Sequence, residues 1–197
     1  MNSFAVISAT ELESSAGATA VAEIVHGFSC GRNREVDNFV RSNGLEFTRR
    51  KISVTHFVFE PIRHRCVGYF TLTHKPLSMP VSNLSRTQCS RISRFARTDV
   101  NGMAYSLSAF LIAQIGKNRN VEQGRLISGA KLLELAKDAI RVAQERIGGQ
   151  VVFLEMEHGN AKLAKFYADN GFVPFGTRDD FEEGQPVTYD QLFLFLK

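Results

Sequence analysis

The feature that most constrains this chain is a run of alternating periodicities in its second half. From residue 105 onward the apolar pattern reads strand, polar loop, long helix, strand, helix, strand, the repeat switching between two and about 3.6 residues at each step. Residues 105–116 read as a strand. Residues 125–147 are the strongest helical stretch: Leu126, Ala130, Leu133, Ala136, Ala139, Ile140 and Ala143 form one apolar stripe, and Gly148-Gly149 ends it. Residues 150–156 read as a buried strand, 159–170 as a helix closed by Gly171, 172–176 as the start of another strand, and 192–196 as a last apolar strand. This βαβαβ order predicts an α/β chain with a mixed sheet flanked by helices.

The first half is less regular. Residues 4–7 form a short apolar strand, 14–18 a small polar loop, and Thr19 opens a helix-like run to Val25. After a turn at 30–33, Val36, Phe39, Val40 and Leu45 recur at near-helical spacing, which predicts a helix from near Arg34 that Gly44 can end early. Residues 52–60 and 66–73, rich in β-branched and aromatic side chains, read as a hairpin around Pro61-Ile62-Arg63-His64. Pro76 and Pro80 punctuate a basic, Ser-rich stretch to residue 99, where Ile92, Phe95 and Ala96 mark a short helix. There are no repeats and no linker long enough to divide two domains, so 1–197 is read as a single domain.

Composition narrows the function classes. Hydrophobic residues at 44% and charged residues at 22% are ordinary globular values. No uninterrupted apolar run of about 18 residues exists, so no helical membrane span is expected, and the N-terminus lacks a basic start followed by an apolar run. Cys30, Cys66 and Cys89 show no CxxC spacing and read as reduced thiols rather than a disulfide frame or a metal site, which predicts a cytoplasmic protein. The net charge of +4 is unevenly spread: residues 30–100 hold 13 Lys/Arg against 5 Asp/Glu. Such a basic region could meet a polyanion, such as RNA or cofactor phosphates, or could be solvated surface.

The loop entering the long helix reads Gln123-Gly124-Arg125-Leu126-Ile127-Ser128-Gly129-Ala130, then Lys131. Small residues at Ser128, Gly129 and Ala130 let backbone approach a ligand, and a helix N-terminus presents N–H donors to an anion. Arg125 and Lys131 add positive charge. The same small residues would also serve close helix–strand packing. Further on, Asn160 and Tyr167 stand seven residues apart, about two helical turns, and so share a face.

These two segments resemble signatures of the GNAT N-acetyltransferase superfamily. Arg125-x-x-Ser128-x-Ala130 looks like its Q/R-x-x-G-x-G/A pyrophosphate loop, with Ser128 where the family usually has Gly. The stretch from Asn160 to Phe172 resembles its N-x-x-A-x-x-F-Y-x-x-x-G-F element, with Leu163 replacing the small residue. The resemblance implies a GNAT fold: a mostly antiparallel central sheet with a splayed parallel strand pair. It implies acetyl-CoA as co-substrate, held by Ile115, Gly116 and Lys117 beside the pantetheine, by Arg125, Leu126, Ile127, Ser128, Gly129, Ala130 and Lys131 at the pyrophosphate, and by Asn160 and Phe166. It implies Tyr167 as the group that protonates the departing thiolate. Glu155, Glu157 and His158 are candidates for the base that frees the amine, or else solvated strand-end residues.

Upstream, Phe28-Ser29-Cys30-Gly31 followed by Val36-Asp37-Asn38-Phe39-Val40 is similar to the opening of toxin-type GNAT enzymes, as are residues 55–58, 67–72 and 192–197. That branch implies transfer to the amino group of aminoacyl-tRNA, an antitoxin partner and a homodimer, with the basic region 30–100 meeting tRNA. Ala113-Gln114-Ile115-Gly116-Lys117 departs from the branch, and residues 78–103 match no part of it, so a divergent member is expected. A small-molecule or protein amine as acceptor, or a non-catalytic binding module, remain the alternatives.

Overall fold

The structure, a computed structural model, describes residues 3–31, 33–182 and 184–196. Met1, Asn2, Arg32 and Lys197, on which the readings of the N-terminus, the turn at 30–33 and the last strand partly rest, lie outside the described residues. An eight-stranded sheet runs in the order β1-β2-β3-β5-β6-β8-β7, with β4 paired to β5. The pairs β1–β2, β2–β3, β4–β5, β6–β8 and β7–β8 are antiparallel, and β5–β6 is parallel. The chain folds into two compact units, each discontinuous in sequence: Met1–Thr73 with Ile112–Glu145, and His74–Leu111 with Arg146–Lys197.

The first unit opens on strand β1 (Ala5–Ser8) and helix α1 (Ala9–His26). Here the expected loop at 14–18 is helical. Ser8 and Glu11 form a reciprocal cap: the Ser8 hydroxyl accepts from the Glu11 N–H at 3.2 Å, and the Glu11 carboxylate accepts from the Ser8 N–H at 3.0 Å. Alanines sustain the helix despite the small polar residues, and only Gly17, at φ 86°, interrupts it. Helix α2 (Arg34–Ser42) begins where expected, capped by Asn33, but the chain turns at Gly44 into a further helix, α3 (Gly44–Arg49). Strand β2 (Val54–Phe59) pairs with β3 (Cys66–Pro80), confirming the hairpin. Phe28, Phe57 and Tyr69, all fully buried, centre this unit's core.

Strand β3 does not stop at Pro76. The proline sits at an exposed position, while Leu77 and Met79 alternate inward; a residue without an N–H is tolerated where the ladder does not need it. In the second unit a single 3₁₀ turn (Val81–Asn83) leads to helix α4 (Arg86–Ile92) and strand β4 (Arg97–Thr98). The helix starts earlier than the apolar residues indicated because Ser85 and Gln88 form a second capping box. Phe95 and Ala96 fall beyond its end.

Strand β5 (Ala104–Lys117) contributes residues to both units. Helix α5 (Gly129–Ile147) follows the loop, so residues 125–128 precede the helix rather than open it. Of the expected stripe, Leu133, Ala136 and Ile140 are buried, joined by Leu132 and the stem of Lys137. The second unit is completed by β6 (Val151–Glu157), α6 (Ala161–Asp169), β7 (Val173–Glu182) and β8 (Gln185–Phe195). The last strand is longer than its apolar end suggested, because β7 and β8 form one extended hairpin. Met79, Ile92, Val151, Phe175 and Phe193 anchor this unit's core. Among the described residues no helix is long and apolar enough to cross a membrane.

Candidate active site

In the first unit, the end of β5 is pinned rather than frayed. Buried Asn118 donates from its side chain to the Cys66 carbonyl at 3.0 Å, and its backbone N–H donates to the Val67 carbonyl at 2.8 Å. Gly116 is a packing requirement: a Cβ there would stand 2.4 Å from the Cys30 sulfur and 2.7 Å from Val36 Cγ1. Since side chains alternate along a strand, Ile115 and Lys117 project from the opposite face.

Beyond β5 the backbone enters the left-handed region at three successive residues, Glu122 (φ 45°), Gln123 (56°) and Gly124 (70°). Two of these are not glycine, and such conformations cost of order 1 kcal/mol each and cluster at ligand-binding turns. Glu122 is held by Arg65 at 2.9 Å. A Cβ on Gly124 would lie 3.4 Å from Lys117 Cε and from Arg119 Cγ, so both cationic side chains run over this turn. Burial, helped by the Arg119 charge, lowers the Lys117 pKa. Two cations crowd the approach to α5.

The helix entrance itself is capped. The Ser128 hydroxyl accepts from the Lys131 N–H at 3.0 Å, and the first intrahelical bond runs from the Leu132 N–H to the Ser128 carbonyl at 3.0 Å. The N–H groups of Gly129 and Ala130 therefore precede the helical ladder, where an anion is well received. Arg125, Ala130 and Lys131 are exposed, Leu126 and Gly129 half-buried, and Ile127 is buried. This donor and charge set fits a pyrophosphate.

In the second unit, Asn160 stands one residue before α6 and caps it, its side-chain oxygen accepting from the Leu163 N–H at 3.1 Å. Tyr167 is buried, with only 6% of its surface exposed, and packs edge-on against Phe166 (5.2 Å) and Phe172 (5.8 Å). Burial pushes its phenol up to about 12, so it is protonated at neutral pH and can donate.

What fixes Tyr167 is the end of its helix. Gly171 takes φ 88°, its N–H donates to the Ala168 carbonyl at 3.0 Å, and the Phe172 N–H reaches back to the Tyr167 carbonyl at 3.0 Å. Those two bonds define a Schellman motif, and the Phe172–Tyr167 ring contact is its accompanying apolar pair. The Gly-Phe of the sequence element thus locks the tyrosine.

The three base candidates separate. Glu155 is engaged by Arg178 through Nε and Nη2 at 2.8–3.1 Å and by Gln191 at 2.8 Å. These bonds, with a further one to Asp180, raise the Arg178 pKa. Glu157 is exposed at the end of β6. His158 Nδ1 lies 2.7 Å from Asp190 Oδ1. Neither Arg178 nor Asp190 stood out in the sequence. Both arrive through strand register, Asp190 facing Met156 and Thr177, and only a correct pairing of β6, β7 and β8 could have found them.

Fold and residues together define the class: an α/β chain whose long helix begins in a basic, small-residue turn and whose next helix carries a buried phenol. Strands β5 and β6 pair in parallel at Phe110–Val152 and Leu111–Phe153. No protein-family profile matches the chain, and no curated relative matches it. Solved structures do. The toxin AtaT in complex with acetyl-methionyl-tRNAfMet is 16% identical, covering 95% of each chain, with a TM-score of 0.60. A mutant of the toxin KacT is 16% identical over 95% of this chain and 94% of that one, with a TM-score of 0.57. A mutant of AtaT bound to the C-terminus of the antitoxin AtaR and acetyl-CoA is 19% identical over 85% of this chain and 82% of that one, with a TM-score of 0.53. The chain has the GNAT fold of these toxins, as its two signatures implied.

Proposed function

We propose that residues 1–197 form a single acetyltransferase domain that moves the acetyl group of acetyl-CoA to a primary amine. The observation that carries the reading is the buried phenol of Tyr167, held by the Schellman closure of its helix, which supports a role as proton donor. In this reading the amides of Gly129 and Ala130, with Arg125, Ser128 and Lys131, hold the pyrophosphate, and Leu126 and Ile127 shape the turn. Ile115, Gly116, Lys117, Asn160 and Phe166 lie along the pantetheine, and a backbone N–H of β5 meets the developing oxyanion.

Burial raises the Tyr167 phenol and so keeps its proton in place at neutral pH, where it is available to a departing thiolate.

For the acceptor we favour the amino group of an aminoacyl-tRNA. The fold shared with AtaT, which was solved with acetyl-methionyl-tRNAfMet, and the basic residues between 30 and 100 support this. An antitoxin protein, a homodimer and a cytoplasmic setting belong to the same reading. A small-molecule or protein amine would use the same donor and loop. Thiol release from acetyl-CoA, measured with and without methionyl-tRNA, tests the proposal: release that depends on the charged tRNA is the expected result. Tight acetyl-CoA binding without release to any amine would leave a binding module.

A further inference from the structure

We propose that His158, oriented by Asp190, is the base that takes the proton from the acceptor ammonium. The inference rests on the acetyltransferase reading above and adds the group that reading lacked. Strand β6 ends at Glu157, opposite Tyr189 of β8, and the ladder extends one residue further, the His158 N–H donating to the Thr188 carbonyl at 3.0 Å. The imidazole is thus mounted on a fixed backbone rather than on a loop. Its Nδ1 lies 2.7 Å from Asp190 Oδ1, and the side chains are 62% and 26% exposed respectively.

A carboxylate on Nδ1 favours the tautomer with the proton on that nitrogen and leaves Nε2 as the nitrogen with the free lone pair. A base held by a third group is the arrangement that nucleophile activation requires. The neighbouring acids do not offer it: Glu155 is engaged by Arg178 and Gln191, and Glu157 is exposed and alternates to the opposite face of the strand. Among the described residues of β7 and β8, the charged groups sharing the face of the imidazole are Asp190 and Asp179, the latter accepting from the Thr188 hydroxyl at 2.8 Å, while Glu157 and Arg178 alternate to the opposite face.

Its place along the chain fits the role. His158 stands two residues before the cap of α6, and Tyr167 lies about 10 Å along that helix from Asn160. Helical side chains lean toward the N-terminus, so the phenol leans toward the end at which His158 sits. The proton account closes as follows. Nε2 takes one proton from the ammonium and passes it to solvent. The freed nitrogen lone pair forms the C–N bond to the thioester carbon, and the C–S bond breaks with its electron pair on sulfur. Tyr167 gives its proton to that sulfur and is restored by the second proton lost from nitrogen as the amide forms. His158 and Tyr167 are the catalytic pair, and Asp190 is a positioning residue.

The test uses the full chain, acetyl-CoA, and two acceptor probes, methionyl-tRNA and a short peptide with a free α-amine. On whichever probe the wild type uses, His158→Gln should lower thiol release about 10²-fold near pH 6.5, and Asp190→Asn about 10-fold, with acetyl-CoA affinity by calorimetry unchanged. The defect should shrink as the pH passes the α-amino range of about 8, where solvent supplies the neutral amine. A purely structural role would lower the rate equally at every pH. If His158→Gln matches the wild type from pH 6 to 9, or loses the same factor throughout, the dyad is a surface ion pair and the proposal fails. If the wild type binds acetyl-CoA but releases thiol to neither probe nor to a panel of small primary amines, the acetyltransferase reading falls, and the base with it.

Discussion

Helices α5 and α6 carry the two halves of the proposed chemistry, and they are secured in different ways. Helix α5 is prepared at its N-terminus: a left-handed turn with two non-glycine residues leads to a cap at Ser128 that uses only the Lys131 N–H. Two further amides and four nearby cationic residues remain for a ligand. Helix α6 is secured at both ends, by Asn160 and by the Gly171-Phe172 closure. One end is built to receive charge, the other to hold a hydroxyl still. Binding and turnover should therefore separate cleanly between variants of the two helices.

The largest separation is expected at Tyr167. Tyr167→Phe keeps the ring contacts to Phe166 and Phe172 but removes the donor, so turnover should fall about 10²-fold, or about 2.7 kcal/mol, while acetyl-CoA affinity is unchanged. The pH dependence follows from the sign of the shift. Burial raises the folded phenol to about 12 from about 10 unfolded, so its stabilising contribution is complete below pH 10 and is lost between 10 and 12. Alkaline unfolding should begin later in Tyr167→Phe than in the wild type, read by circular dichroism. An unchanged turnover in the phenylalanine variant would reduce Tyr167 to packing.

Next comes the closure of α6. At φ 88° an alanine in place of Gly171 costs about 1–2 kcal/mol, and its Cβ would meet Leu194 Cδ1 at 3.3 Å. Gly171→Ala should lower the melting temperature and lower turnover beyond the loss of folded protein, because the Schellman bonds set the Tyr167 backbone. If folded Gly171→Ala turns over normally, the closure stabilises the helix without positioning the phenol.

The contrast between the helices also explains what the sequence could disclose. The Asn160–Phe172 element was legible because its bonds are local: a cap at i+3 and a closure within six residues. The α5 loop was legible for the same reason, although the helix begins at Gly129 rather than Arg125, since an apolar stripe does not mark where the cap falls. Asp190 and Arg178 were not legible, because register across three strands delivers them. Helix α1 is legible only from Thr19, because the Ser8–Glu11 box that starts it lies before the small residues at 14–18, of which Gly17 alone leaves the helical backbone. The continuation of β3 past Pro76 was hidden because a proline was taken as a stop where only an exposed ladder position was involved.

A smaller effect tests the open end. Arg125 is exposed and precedes α5, so Arg125→Glu should fold normally and weaken acetyl-CoA about 10-fold, or about 1.4 kcal/mol, with most of the loss vanishing at high salt. Equal affinity by calorimetry at low salt would remove this loop from the site and leave α6 without its counterpart.

The smallest effect sharpens the comparison most. Ser128 stands where the resembled loop usually has glycine, and its hydroxyl accepts from the Lys131 N–H, one of the donors a pyrophosphate would seek. Replacing a serine cap by glycine costs only a few tenths of a kcal/mol, whereas alanine costs about 1 kcal/mol. Ser128→Gly should therefore be almost as stable as the wild type, with the Lys131 N–H released to the ligand and acetyl-CoA bound equally well or slightly tighter. Ser128→Ala should lose stability without gaining affinity, since the Cβ it retains keeps the backbone from its closest approach. If instead the glycine variant binds several-fold weaker, the Ser128 hydroxyl is itself a phosphate ligand. The cap seen here would then be its resting hydrogen bond, exchanged when acetyl-CoA arrives.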